Sequence, residues 1–169
     1  MKKSSKNLLK FTSAIVCAAA IVATPVAIAA TATTTFQVTA TVLSVCTVSA
    51  TNLAFGNYDA SSGTPNDNTS TVTVRCSNTT PYTVALNAGT GTGATVAVRR
   101  MTGGSTLDYS MYTTAGRTTV WGDGTLATVT QAGTGNGANQ ALTVFGRITT
   151  GQFVAAGAYT DTITATVTY

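Results

Sequence analysis

Apolar and polar residues alternate with a period of two along most of this chain, and one long uninterrupted run lies near its start. In FQVTATVL (36–43), Phe36, Val38, Ala40 and Val42 fall on one side of an extended backbone, with Gln37, Thr39 and Thr41 on the other. The alternation runs on through Ser44, Cys46 and Val48 with no Gly or Pro to turn it. A hairpin partner therefore does not follow directly. Similar runs predict strands at 71–76, 81–87, 95–101, 106–112 and 142–149. Residues 117–131 read as a hairpin around Asp123-Gly124, while the Gly-rich stretches 87–94 and 132–140 and the segment 53–70 read as connections. The final run, 158–169, places Tyr159, Ile163, Ala165, Val167 and Tyr169 on one face and a ladder of threonines on the other.

No long stretch has helical period, and Thr and Val suit a pleated, half-buried surface. About seven strands at this spacing predict an all-β chain folded as a two-sheet sandwich. The patterned run 158–169 reaches the last residue, so this strand lacks a sequential partner, just as 36–43 does. The two needs are complementary. If each chain lent its first strand to the groove of the next, the contact would be head-to-tail and would propagate.

Charge removes other readings. Lys2, Lys3, Lys6 and Lys10 precede an apolar run from Phe11 to Ala23, then Pro25 and the small residues around Ala27-x-Ala29. This is the layout of a secretory signal peptide over residues 1–30, cleaved near 29–32, and it is short for a membrane anchor. Cys17 follows Val16, which does not suit a lipoprotein signal. Without the four lysines, Arg75, Arg99, Arg100, Arg117 and Arg147 face Asp59, Asp67, Asp108, Asp123 and Asp161 in a neutral chain with no Lys, Glu or His. Nothing basic remains to favour nucleic acid or an anionic membrane surface. Cys46 and Cys76 each continue the apolar face of a strand, and in an exported protein such a pair predicts a disulfide closing a loop of about 30 residues.

Several local motifs resemble one family, the spore coat protein U domain family, which includes pilins of archaic chaperone–usher pili. They are Cys46 followed by LAFGNYD (53–59), VRC (74–76) with PYTVALNAG (81–89), RRM (99–101), LDYSMY (107–112), VWGDG (120–124), FGRI (145–148) and GAYTDTITATVTY (157–169). The resemblance implies an incomplete immunoglobulin-like sandwich completed by donor-strand complementation. It implies a structural subunit of a surface pilus serving adhesion and biofilm formation, with a periplasmic chaperone, an outer-membrane usher and further copies of the chain or sister pilins as partners. Phe36, Val38, Ala40 and Val42 become the donor side chains of an extension over 31–44, ahead of a domain over 45–169. Ile163, Ala165, Val167 and Tyr169 become the groove-edge strand that a chaperone would hold.

No base stands evidently beside a nucleophile, and no cofactor or metal set is legible, so catalysis is not expected. GTGTG (89–93) and GTGNG (133–137) lack the spacing of a phosphate-binding loop. Trp121, Tyr58, Tyr109 and Tyr112 read as core and loop-capping residues, the alternative being a stacking platform for a sugar. The other alternative is a self-contained secreted or coat domain that tucks 36–43 into its own groove.

Overall fold

A computed structural model of the chain describes residues 28–169. The expected signal segment lies almost wholly outside the described residues, as does Cys17. The chain divides into two units, residues 1–40 and 41–169. Within the first, residues 28–40 are exposed and carry no strand. The second holds eight strands: β1 (Cys46–Ala50), β2 (Asn66–Cys76), β3 (Pro81–Leu86), β4 (Arg99–Thr102), β5 (Thr106–Tyr112), β6 (Gln131–Thr134), β7 (Gln140–Ile148) and β8 (Ala165–Thr168).

The strands form two antiparallel sheets, one in the order β1-β2-β7-β5-β4 and the other β6-β3-β8. Period-two alternation sets the core between them. Val72 and Val74 of β2, Tyr109 and Met111 of β5, and Val144 and Ile148 of β7 point inward from the larger sheet. Tyr82, Val84 and Leu86 of β3 meet them from the smaller one. Trp121 is fully buried in this core, and its indole N–H donates to Val84 O at 3.0 Å. Tyr109 is buried as well, so two of the four aromatics weighed as a platform are core residues.

Several elements differ from the sequence reading, and the run expected at 95–101 is a strand only over Arg99–Thr102. Residues 117–131 do not form a hairpin: Val120 makes only a single bridge to Tyr112, and Trp121 a parallel one to Val129. Drawing the large indole inward bends this stretch around a compact loop, where Leu126 and Ala127 adopt φ of 50° and 59°. The Gly-rich connection yields a strand, β6, because the Tyr82 ring lies so close to Gly133 that a β-carbon there would fall 2.5 Å from it. β2 starts at Asn66, inside the expected loop, pairing Asn66 with Ile148 and Thr69 with Phe145.

The last run is also less uniform than its pattern. Thr160 exchanges two backbone hydrogen bonds with Thr102 of β4, at 2.8 and 3.0 Å, whereas Ala165–Thr168 pairs with β3. One extended segment thus crosses from the edge of one sheet to the edge of the other. This joins the sheets along the β4 side of the sandwich.

Candidate functional site

The same crossing segment borders an opening into the core. β1 ends the larger sheet, β8 ends the smaller one, and neither has a second partner strand among the described residues. Past the end of β1 and ahead of β8 lies a cleft of about 620 Å³. One wall is Ala50 and the segment Thr51–Phe55; the other runs from Tyr159 to Ala165. Val72, Leu86, Met101, Tyr109, Met111 and Val144, the core itself, form the floor.

The first wall is built by polar side chains holding a strandless segment. Asn66 Nδ2 donates to Phe55 O at 3.2 Å and to Asn57 O at 2.9 Å, and Asn68 donates to Ala54 O. Leu53 and Phe55 lean onto β7 at Gly146, where a β-carbon would sit 2.6 Å from Leu53 and 2.8 Å from Phe55. Only glycine leaves room for this wall. The Phe55 ring then meets Tyr109 edge-on, with centroids 6.0 Å apart.

The second wall depends on Asp161, a charged residue in the otherwise apolar stripe of the last run. Its Oδ1 accepts from Thr90 N–H (2.7 Å), Thr90 Oγ1 (3.0 Å) and Thr162 N–H (2.7 Å), and its Oδ2 accepts from the Tyr109 hydroxyl at 2.7 Å. Burial, reinforced by the neighbouring carboxylate, holds the Tyr109 phenol well above its usual range. The carboxylate thus fastens the Gly89 loop, β5 and the entry to β8 at one point. Gly89, at φ 86°, passes too near it to carry a β-carbon. Next to this point Arg99 is fully buried, donating to Asn87 O (2.9 Å), Leu86 O (3.2 Å) and Trp121 O (2.9 Å), while its Nη1 has no partner among the described residues. Burial draws its pKa down to about 10.

The free edge of β8 completes the geometry. Asn87 N–H donates to Thr164 O at 3.1 Å, and Thr166 and Thr168 stand opposite Ala85 and Thr83. Backbone groups alternate sides along a strand. The N–H and C=O groups of Ile163, Ala165 and Val167 therefore face away from β3, as an edge row open to another strand. Their side chains pack against the core.

Of the residues singled out in the sequence, Cys46 and Cys76 are disulfide-bonded and sit opposite each other in the β1–β2 ladder. Ile163 and Ala165 line the cleft; Val167 packs on the core beyond it. Tyr169 lies past the end of β8, 57% exposed, and so does not share the inward face expected of it. Phe36, Val38 and Val42 are 86%, 81% and 89% exposed, Ala40 is exposed too, and residues 36–43 form no strand. Sequence reasoning missed Leu53, Phe55 and Asp161. Asp161 had a legible signal, a carboxylate at an apolar-face position; the 53–55 wall had none, since its partners are side-chain amides.

Residues 32–166 match the family model for the Spore Coat Protein U domain. The chain is 31% identical to "Protein U" of Myxococcus xanthus, over 93% of this chain and 96% of that protein. In structure it is similar to a chain of the CsuC–CsuE chaperone–tip adhesion subunit pre-assembly complex from archaic chaperone–usher Csu pili of Acinetobacter baumannii. That match has a TM-score of 0.56 at 25% identity and covers 76% of this chain. The chain spans 40% of the length of that neighbour.

Proposed function

Since the chain belongs to the Spore Coat Protein U domain family, we propose that it is a structural subunit of a surface pilus assembled by the chaperone–usher route. Each subunit inserts residues 36–43 into the cleft of its neighbour, beside the free edge of β8. The fibre serves adhesion and biofilm formation. A periplasmic chaperone holds the open cleft before assembly, and an outer-membrane usher exchanges it for the next subunit.

The observation that carries this reading is the cleft: an opening into the sandwich core that meets a strand edge whose outward backbone groups have no partner strand among the described residues. An apolar floor of this kind favours an occupant that brings apolar side chains every second residue, as Phe36, Val38, Ala40 and Val42 do. Their burial would contribute up to roughly 5–9 kcal/mol, an upper bound because the free segment already shields part of its surface. A slip of one residue would turn Gln37, Thr39 and Thr41 inward, so the register is strongly specified.

Electrophoresis of surface material in SDS tests the reading. Unheated samples should give a ladder that collapses on boiling. A chain lacking residues 33–43 should still be exported and bind its chaperone but fail to donate. Fibres assembled from the truncated chain would overturn the donor-strand account.

A further inference from the structure

The segment ahead of β1 is fastened at its root. Beyond the Cys46–Cys76 bond the β1–β2 ladder continues by one more pair: Ser77 N–H donates to Val45 O at 2.9 Å, and Val45 N–H donates to Ser77 Oγ at 3.1 Å. Thr80 Oγ1 donates to Ser44 Oγ at 3.3 Å. Residues 44–46 are thus tied to the 76–80 connection by one covalent bond and several hydrogen bonds, in line with β1. β8 finishes at this same end, because Thr168 stands opposite Thr83, near the start of β3. The cleft opens at the other end, where β1 finishes at Ala50 and the chain enters β8.

To fill the cleft of its own domain, residues 36–42 would have to reverse within 43–45 and return beside β1. A reversal that short needs positive φ, which Gly, Asn or Asp supplies. Leu43-Ser44-Val45 contains none of them. The reversal would also break the Val45–Ser77 pair. The returning strand would run parallel to β8, the slightly weaker arrangement, whereas a strand from another molecule is free to enter antiparallel.

We propose that this root clamp, Cys46–Cys76 together with Ser77 and Thr80, makes the chain complete a neighbour instead of itself. The inference rests on reading 36–43 as a completing strand. Two variants of the exported chain test it. Ser44→Asn with Val45→Gly installs a reversal; Ser77→Ala with Thr80→Ala loosens the clamp but leaves the disulfide. Each is refolded oxidised, sized by light scattering over a dilution series, and offered a labelled FQVTATVL peptide.

Wild type should give concentration-dependent oligomers and take up the peptide at its free end. The reversal variant should be a folded monomer at every concentration that refuses the peptide. The loosened variant should shift the ratio of monomer to oligomer by about tenfold, the effect of losing one to two hydrogen bonds. If both variants oligomerise like wild type, the clamp is not what selects the neighbour, although the donor-strand reading stands. If the reversal variant does not fold, the loosened variant decides alone, and an unchanged ratio overturns the inference. A wild-type chain that is monomeric throughout and refuses the peptide also overturns it. In that case peptide uptake by the chain lacking 33–43 separates a self-filled cleft from the failure of the donor-strand reading itself.

Discussion

At the scale of single residues, the disulfide and a partly exposed ion-pair cluster carry the sharpest consequences. Replacing Cys46 with Ser removes the constraint on the loop to Cys76 and should cost about 2–5 kcal/mol. Chemical denaturation with and without the substitution measures this, and thiol labelling of the unreduced wild-type protein should find no free cysteine. Asp67 offers a second test. Arg147 donates to it at 2.7 and 2.8 Å and Arg117 approaches to 3.3 Å, across β2 and β7. These hydrogen bonds, with the nearby positive charges, hold its pKa below the ordinary 3.8. A carboxylate depressed in the fold stabilises fully above its unfolded pKa, and that contribution is lost as the pH falls through the folded value. Asp67→Asn should therefore flatten the fall of stability as the pH drops below about 4, as followed by thermal melts; an unchanged slope would mean that the pair is not linked to folding.

At the scale of elements, the last strand separates a structural face from a solvent face. Val167 packs on the core, whereas Thr166 points outward. Val167→Asp should abolish chaperone capture and Thr166→Asp should be milder, in a pull-down of the exported subunit by its chaperone. Equal loss from both would show that the faces are misassigned. The same contrast explains what was legible beforehand. TLDYSMY was readable as β5 to the residue because its alternation is undisturbed and both edges are paired. The 117–131 stretch was not, because one indole dragged inward outweighs a good turn dipeptide, a tertiary effect with no local trace. β6 was hidden for a related reason: its glycine is there to accommodate the Tyr82 ring, and composition alone makes it look like a loop. The cleft was foreseeable as a need, from two strands without partners. Its walls at 51–55 and Asp161 depend on amide and carboxylate bonds to distant backbone, which periodicity does not report.

At the scale of the whole molecule, the placement of the arginines has a bearing on survival outside the cell. Between residues 28 and 74 there is neither lysine nor arginine. Of the five arginines, Arg75, Arg99, Arg100 and Arg147 lie within strands. Arg117, in a turn, is largely covered and donates to Gly146 O at 3.2 Å. Proteases cut locally unfolded chain, so an enzyme that cleaves after basic residues finds no open bond in the folded domain and none in residues 28–45 ahead of β1. An enzyme that cleaves after aromatic or aliphatic residues meets Phe36 and Val38 fully displayed. Free subunits should lose this segment to a chymotrypsin-like enzyme yet resist trypsin, and mass spectrometry of timed digests would reveal a cut near Phe36. If residues 36–43 complete a neighbour as proposed, that bond becomes part of a sheet in an assembled fibre. Resistance at Phe36 would then count the joined subunits, and a clipped chain would still receive a neighbour but never again extend the filament from its own side.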